Sequence, residues 1–328
     1  MFTVDRTNFD HLFRLLQQKG YTPVGPTVRD GALILDEISS AADLPSGWTD
    51  DQGPAHYRLR RRDDASLFGY SVGAHSWKRY LFPPTVKLFE ARRQGKSMEF
   101  ASAPAETGAQ RAGSKKYAFI GVKPCELQAI LIQDKVFLGS GSVDPVYKAA
   151  REQIFIVAAN CTQASGTCFC ASMDAGPQAR SGFDLAITEV VGKQHYFVME
   201  AGSKRGRQIM LELPHRPSAQ PEIDEAAKRV EKTRGQMGRQ METAGLRDLL
   251  LKNPEHPRWE EVSRRCLNCA NCTLVCPTCF CSTVEDGTDL SERRRIGREG
   301  GTRAFRSSSP TSTEDASAPP ASRATASG

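Results

Sequence analysis

The feature that most constrains this chain is a dense group of cysteines toward its carboxyl end. Six of its ten cysteines fall between Cys266 and Cys281. Four of them have the spacing C-x2-C-x2-C-x3-C followed by proline, namely Cys266, Cys269, Cys272 and Cys276 before Pro277. Thiols three residues apart on a tight loop can point toward one centre, and bacterial ferredoxins bind a 4Fe–4S cluster with this spacing. The sequence therefore predicts at least one 4Fe–4S cluster.

The fourth cluster ligand is open at this point. In ferredoxins with two clusters, the fourth cysteine of such a run binds the other cluster, and a second run supplies the missing ligand in return. No cysteine follows Cys281, so the sequence contains no second run. The predicted ligands are Cys266, Cys269, Cys272 and Cys276, with Cys279 and Cys281 as alternatives to Cys276.

Two other interpretations of the cysteines remain. Zinc sites often join two C-x2-C pairs about 15–20 residues apart, and this chain lacks that separation. The alternative function is therefore a zinc-binding interaction module without redox activity.

A third interpretation is a redox or iron–sulfur sensor that binds DNA through its basic tail. Residues 293–295 are three consecutive arginines, but without interleaved aromatic residues a solvated charge run is favoured.

The other four cysteines lie in the first two thirds of the chain. Cys125 follows a predicted strand and begins a helix, whose dipole is expected to lower the thiol pKa. Cys161 follows a second strand; if the strands are parallel neighbours, both thiols emerge at the same edge, where open α/β sheets bind ligands. Cys168 and Cys170 lie in the loop that leaves this edge. A second metal or cluster site is predicted here, with redox-active thiols or ordinary buried cysteines as alternatives.

The apolar pattern predicts an α/β fold with a mixed sheet. Short strands over residues 117–122 and 154–159 are separated by helices over 126–134 and 145–152. This arrangement is typical of a crossover that joins parallel strands. The pattern further predicts a helix over 9–16, a hairpin over 28–35, a helix over 86–93, a loop over 95–115, strands over 183–191 and 196–200, and helices over 222–233, 245–251 and 259–265.

Three parts are expected along the chain. Residues 1–220 are predicted to form the α/β domain, and 221–290 a helical connection with a small ferredoxin-like iron–sulfur segment. Residues 291–328 are predicted to be a disordered tail. From residue 307 onward, 18 of 22 residues are Ser, Thr, Ala or Pro. Such a segment buries too little apolar surface to offset the entropy of ordering.

Composition excludes several classes of protein. Of the 328 residues, 39% are hydrophobic, which is enough for a packed core. The net charge of +6 is partly concentrated in the tail, so no basic groove for nucleic acid is expected. The longest apolar run, residues 154–159, is too short to span a membrane, and the start of the chain lacks a signal-peptide pattern. We therefore expect a cytoplasmic protein, in which thiols stay reduced and clustered cysteines bind metal.

Several segments together resemble a known family. They are residues 119–127 (FIGVKPCEL), 160–162 (NCT), 166–173 (GTCFCASM) and 276–281 (CPTCFC). They are similar to the 4Fe–4S dicluster beta subunits of sulfhydrogenases and to the A subunit of anaerobic sulfite reductase, over about residues 5–290. The resemblance implies two ferredoxin-type clusters. It also implies a non-catalytic subunit that passes single electrons between a flavin- and NAD(P)H-binding subunit and a hydrogenase or a sulfur- or sulfite-reducing subunit.

The carboxyl end departs from this family. Its members carry a second C-x2-C-x2-C-x3-C-P run, whereas residues 291–328 of this chain are rich in Arg, Ser, Pro and Ala. The composition changes abruptly after Asp286, and we hypothesise a truncated or frameshifted product. The hypothesis predicts that another reading frame of the gene encodes the second run, without which a second ferredoxin-type cluster cannot assemble normally.

Overall fold

The computed structural model describes residues 1–54, 56–71, 73, 75–82, 85–94, 97–102, 115–139, 141–288 and 294–301. The strands are β1 (Phe2–Asp5), β2 (Tyr21–Arg29), β3 (Ala32–Glu37), β4 (Trp48–Gly53), β5 (His56–Arg61), β6 (Thr85–Gln94), β7 (Ser97–Ser102), β8 (Lys116–Val122), β9 (Phe155–Ala159), β10 (Leu185–Val191), β11 (His195–Ala201), β12 (Arg216–Pro217), β13 (Ser282–Thr288) and β14 (Arg294–Gly301). The helices are α1 (Asp10–Gln18), α2 (Lys78–Leu81), α3 (Pro124–Gly139), α4 (Pro145–Glu152), α5 (Lys204–Glu212), α6 (Gln220–Gly235), α7 (Leu246–Leu251), α8 (Pro257–Arg264) and α9 (Asn271–Val275).

Eight strands form one mixed sheet in the order β12–β1–β11–β10–β9–β8–β2–β3. The central strands β2, β8, β9 and β10 are parallel to their neighbours in this group, and the outer strands pair antiparallel. Helices α3 and α4 connect β8 to β9, because parallel strands need a crossover connection. The predicted α/β fold with a mixed sheet is thereby confirmed, as is the parallel pairing of the strands predicted over 117–122 and 154–159.

Both faces of the central strands are buried. Successive side chains of a strand point to opposite faces, so Ala118 and Ile120 pack in one apolar layer and Phe119 in the other. The first layer includes residues of α1 and α5, and the second includes residues of α2, α3 and α4. The continuous apolar sequence of β8 and β9 follows from this covering of both faces.

A bulge at Gly121 reorients the end of β8. The pairing of β8 with β9 shifts register at this residue, whose φ is +87°. Val122 consequently joins the same core layer as Phe119. A Cβ on Gly121 would lie 2.7 Å from Cε1 of Phe68. Both the left-handed backbone and this close approach require glycine. The bulge thus sets the direction in which the chain leaves the sheet toward Cys125.

The structure corrects the predicted helix over residues 86–93. These residues belong to strand β6, which pairs with β7 on one side and with β14 on the other. Because β14 is about 200 residues away in the sequence, local apolar spacing could not reveal this pairing, and the tertiary context overrides it. Part of the predicted loop over 95–115 is strand β7, and residues 103–114 lie outside the described residues.

The predicted tail also contains a strand. Residues 294–301 form β14, the second strand of a four-stranded sheet in the order β13–β14–β6–β7. The pairing with β13 and β6 supplies hydrogen bonds that the composition of the tail does not indicate. Residues 302–328 lie outside the described residues. No helix in the part of the chain that the structure describes is long and apolar enough to cross a membrane.

A buried carboxylate connects the large sheet to the segment after β5. Glu189, on β10, is 2% exposed and accepts hydrogen bonds from the backbone N–H groups of Leu67 (2.7 Å) and Phe68 (2.9 Å). The hydroxyl of Ser66 donates to it at 2.6 Å, and Nε2 of His195 lies 2.8 Å from its Oε1. These donors offset the cost of burying the charge. Glu189 therefore fixes the position of residues 66–68 against the sheet.

Glu189→Gln is expected to lower the free energy of unfolding by about 2–3 kcal/mol, because one amide oxygen cannot serve all these buried donors. Glu200→Gln, on β11, is the matched control. Burial raises the pKa of Glu200 and so disfavours its charge; the loss of this charge should therefore not lower the free energy of unfolding. Urea unfolding followed by tryptophan fluorescence measures both variants. Equal unfolding midpoints for the two variants would contradict the structural role of Glu189.

Candidate metal centre

The carboxyl-terminal cysteines lie on a tight loop between α8 and β13. Cys266 follows α8, and Cys272 lies in the short helix α9. Between them, Asn268 and Ala270 have φ values of +51° and +58°. This left-handed conformation is uncommon for residues other than glycine and produces sharp turns. The chain therefore turns on both sides of Cys269, as the C-x2-C-x2-C spacing requires if the thiols are to face one centre.

Most thiols of this group are accessible. Cys266, Cys269, Cys272 and Cys281 are exposed, and Cys276 and Cys279 are partly buried. The sulfur of Cys266 also accepts a hydrogen bond from the backbone N–H of Asn268, at 3.4 Å. Hydrogen bonds of this kind to ligand sulfurs are among the factors that set the reduction potential of iron–sulfur clusters.

The pKa values of Cys276 and Cys279 depend on each other. Burial alone would raise the pKa of Cys276, but hydrogen bonds from Thr278 and Cys279 lower this pKa to about 7. Sγ of Cys276 lies 3.3 Å from Oγ1 of Thr278. The hydrogen bond to Cys276 raises the pKa of Cys279 to about 11. Of the two sulfurs, Cys276 is therefore the one that loses its proton first.

A buried lysine attaches this loop to the rest of the chain. Lys78, the first residue of α2, is 2% exposed. Its Nζ donates hydrogen bonds to the backbone carbonyl oxygens of Thr273 (3.1 Å), Cys276 (2.8 Å) and Cys279 (2.8 Å). Burial lowers the pKa of Lys78, and the neighbouring thiols oppose this effect. A single side chain thus holds the loop on both sides of Cys276.

Helix α3 supplies a second attachment. Nε2 of the buried Gln133 donates a hydrogen bond to the carbonyl oxygen of Pro277 at 2.9 Å. The rings of Phe137 and Phe280 meet edge to face with centroids 5.3 Å apart. Gln133 comes eight residues after Cys125 on the same helix, a separation of about 12 Å along the helix axis. One helix therefore contacts both groups of cysteines.

The other cysteines lie at the edge where the parallel strands end. Cys125 is in the first turn of α3, directly after β8, and Cys161 follows β9. The N–H of Cys161 donates to the carbonyl of Pro177 at 3.0 Å. A Cβ on the preceding Gly176 would lie 3.0 Å from Sγ of Cys170 and 3.5 Å from the proline before Cys125. Residues 176–177 thus lie between Cys161, Cys170 and the start of α3.

Cys168 completes this second group. Its sulfur accepts a hydrogen bond from the N–H of Ser165 at 3.3 Å and lies 3.7 Å from Oγ of Ser71. The charges of the other three thiols all act on the pKa of Cys125. The structure therefore brings Cys125, Cys161, Cys168 and Cys170 into one electrostatic environment at this sheet edge.

The predicted lowering of the Cys125 pKa is wrong. Burial raises the pKa of Cys125, of Cys170 and of Cys161, for which the value is about 11. Desolvation disfavours the thiolate and here outweighs the helix dipole. As free thiols these groups stay protonated at neutral pH, which argues against a set of reactive cysteines. A bound metal would provide the positive charge that removes their protons.

The donor chemistry fits a metal cluster, although the thiols are not gathered around a common point. No three His, Cys, Asp or Glu side chains among the described residues are arranged to hold a metal ion. Ligand loops commonly close only around the metal, because a preformed site is rare without it. The carboxyl-terminal run fits a 4Fe–4S cluster by its thiolate donors and by the turns beside Cys269. The assignment of individual ligands in both groups stays a prediction.

Comparison with known proteins agrees with this chemistry. Residues 265–318 match a 4Fe–4S dicluster domain. The chain is 32% identical over 176 residues to subunit beta of sulfhydrogenase 2 from Pyrococcus furiosus, a match that covers 53% of this chain and 51% of that protein. The chain thus spans about half the length of this curated relative. No solved structure matches the chain.

These matches confirm two predictions from the sequence. The chain carries a 4Fe–4S domain, and it resembles the beta subunits of sulfhydrogenases. The similarity to anaerobic sulfite reductase stays a prediction. The sequence did not indicate Lys78 or Gln133 as residues of the site. Both are more than 100 residues away from the cysteine loop in the sequence, and only the fold brings them into contact with it.

Cys269→Ser is expected to remove the cluster at the carboxyl-terminal run, because this thiol lies between the two sharp turns and serine oxygen is a poor ligand for iron–sulfur clusters. Cys281→Ser is the matched control and should keep its cluster if Cys276 is the fourth ligand. Iron and acid-labile sulfide in anaerobically purified protein measure the effect, together with visible absorption that dithionite bleaches. Equal iron in Cys269→Ser and the wild type would disprove this site.

Proposed function

We propose that this chain is a non-catalytic electron-transfer subunit of a multi-subunit oxidoreductase. The match of residues 265–318 to a 4Fe–4S dicluster domain carries the proposal. A 4Fe–4S cluster, when bound, supplies one-electron transfer. The related protein is named as the beta subunit of a sulfhydrogenase, that is, as one component of a larger enzyme. This name supports a subunit role for the chain.

Each part of the loop has a place in this function. Cys266, Cys269, Cys272 and Cys276 would hold the cluster, with Cys279 and Cys281 as alternatives for the last position. Lys78 and Gln133 keep the segment around Cys276 in contact with α2 and α3. The exposure of the first three thiols would leave the cluster near the protein surface, where electrons can pass to a partner.

Exposed apolar side chains in the cysteine loop and in the two helices before it support a partner subunit. Leu251 is 65% exposed, Trp259 47% and Leu267 87%. Large apolar side chains that are exposed along one segment are typical of a surface that another protein covers. We propose two partners: a flavin- and NAD(P)H-binding subunit, and a hydrogenase or a sulfur- or sulfite-reducing subunit. Together with them the chain would form a cytoplasmic complex.

A second metal or cluster site at Cys125, Cys161, Cys168 and Cys170 would extend the electron path into the chain. Its support is the common sheet edge of the four thiols and the burial of Cys125, Cys161 and Cys170, which makes the unliganded thiolates of these three unfavourable. Helix α3 begins in this group and contacts the carboxyl-terminal loop through Gln133. A rigid helix therefore holds the two proposed sites close together.

The full chain, purified anaerobically, is expected to contain iron and sulfide and to give an electron paramagnetic resonance signal of a reduced 4Fe–4S cluster after dithionite. It should then reduce a one-electron acceptor such as methyl viologen only in proportion to the electrons that it stored. Turnover of a substrate by the chain alone would contradict the non-catalytic role. Colourless protein with stoichiometric zinc would instead establish the zinc-binding alternative.

Cys161→Ser is expected to lower the iron content without affecting the cluster at the carboxyl-terminal run, because it removes one of the four predicted ligands of the second group. Thr162→Ser, at the next position, is the control and should retain wild-type iron. Iron analysis is best carried out in the Cys269→Ser background, where the remaining iron reports the second group alone. Identical iron in the Cys161→Ser and Thr162→Ser proteins would show that these thiols bind no metal.

A further inference from the structure

Lys78 places a buried positive charge against the backbone of the cysteine loop. Three carbonyl oxygens, at 3.1, 2.8 and 2.8 Å, accept hydrogen bonds from its Nζ. An ammonium has three hydrogens to donate, whereas a neutral amine has only two. The three acceptors therefore match the charged form of the side chain.

The position of Lys78 is fixed by the core. Its neighbour Trp77 is 2% exposed and packs against Phe119, with ring centroids 4.6 Å apart. Leu81, at the end of α2, is fully buried in the same layer. Because these contacts hold α2 on the sheet, Nζ stays at one place relative to the loop. A charge on such a rigid element can act on a neighbouring site with a constant strength.

Attachment alone does not require a charge. Gln133 holds the same segment through the carbonyl of Pro277 with a neutral amide at 2.9 Å. Burying an ammonium costs more than burying an amide, and the three carbonyl contacts are with neutral groups. Comparison of the two side chains therefore separates the effect of the charge of Lys78 from the attachment of the loop.

We propose that Lys78 is a positioning residue whose positive charge raises the reduction potential of the cluster bound at Cys266, Cys269, Cys272 and Cys276. This inference rests on the proposed function. The cluster accepts one electron from a one-electron donor, and dithionite is the donor in the test. This electron adds negative charge to the cluster in the loop that Nζ contacts. No bond forms or breaks, and Lys78 keeps its protons. A positive charge in surroundings of low polarity stabilises the added electron.

Three variants of the full chain separate charge from attachment. Lys78→Gln removes the charge but keeps an amide that can donate to the carbonyls, and Lys78→Met removes both. Gln133→Leu removes a neutral attachment to the same segment and leaves every charge unchanged. Each protein is purified anaerobically, its iron is measured, and the midpoint potential is determined by redox titration monitored by electron paramagnetic resonance.

We expect Lys78→Gln and Lys78→Met to shift the one-electron equilibrium toward the oxidised form by about tenfold, which corresponds to about 59 mV. Gln133→Leu should keep the wild-type potential. Loss of the cluster from both lysine variants while Gln133→Leu retains it would show that Lys78 acts by holding the loop, and it would overturn the proposed effect of its charge. Potentials within twofold of the wild-type equilibrium in both lysine variants would overturn the proposal. So would equal shifts of the midpoint potential in Lys78→Gln and Gln133→Leu.

Failure of this inference is distinct from failure of the proposed function. Wild-type protein without iron and sulfide would refute the electron-transfer role itself. Wild-type protein with a cluster, accompanied by lysine variants of unchanged potential and iron content, would refute only the role of Lys78.

Discussion

The attachment of the cysteine loop to α2 and α3 is the contact on which the arrangement of this molecule depends. It is made through backbone carbonyl groups, which accept hydrogen bonds from Lys78 and Gln133. Backbone groups are present whatever the state of the thiols, so the loop can be held in place while its sulfurs remain available to a metal. The thiols of Cys266, Cys269 and Cys272 are exposed, and the hydrogen bonds from Lys78 and Gln133 go to backbone carbonyls and not to these sulfurs.

The two groups of cysteines differ in what they require from a metal. In the carboxyl-terminal run the loop turns sharply beside Cys269, yet it is exposed and must close around a cluster to gather its ligands. At the ends of the parallel strands the fold brings four thiols to one sheet edge, but burial raises the pKa values of Cys125, Cys161 and Cys170 and keeps these three protonated. Among the described residues neither group is arranged to hold a metal ion without closing around it, and the second must in addition lose the protons of its buried thiols. A metal compensates both, since its binding energy closes loops and its charge lowers thiol pKa values.

Much of the fold could be predicted because its signals are local. The side chain of Asp144 accepts hydrogen bonds from the N–H groups of Val146 and Tyr147 at 2.8 Å, so this residue and the following proline mark the start of α4. The buried sequences of β8 and β9, with helices between them, indicated parallel neighbours. The pairing of β6 with β14 could not be predicted, because β14 follows the cysteine loop and lies far away in the sequence, whereas β7, the other partner of β6, is adjacent.

The candidate site shows the same limit. The C-x2-C-x2-C-x3-C-P spacing is local and indicated the cluster, and the parallel strands placed Cys125 and Cys161 at one edge. The pKa of Cys125 was predicted from the helix dipole alone, whereas its burial depends on segments that only the fold assembles. Lys78 had no recognisable motif, since its role arises from tertiary contacts with Thr273, Cys276 and Cys279. The cysteine spacing determines which chemistry is available, but the side chains that orient the loop and set its electrostatics come from elements remote in the sequence.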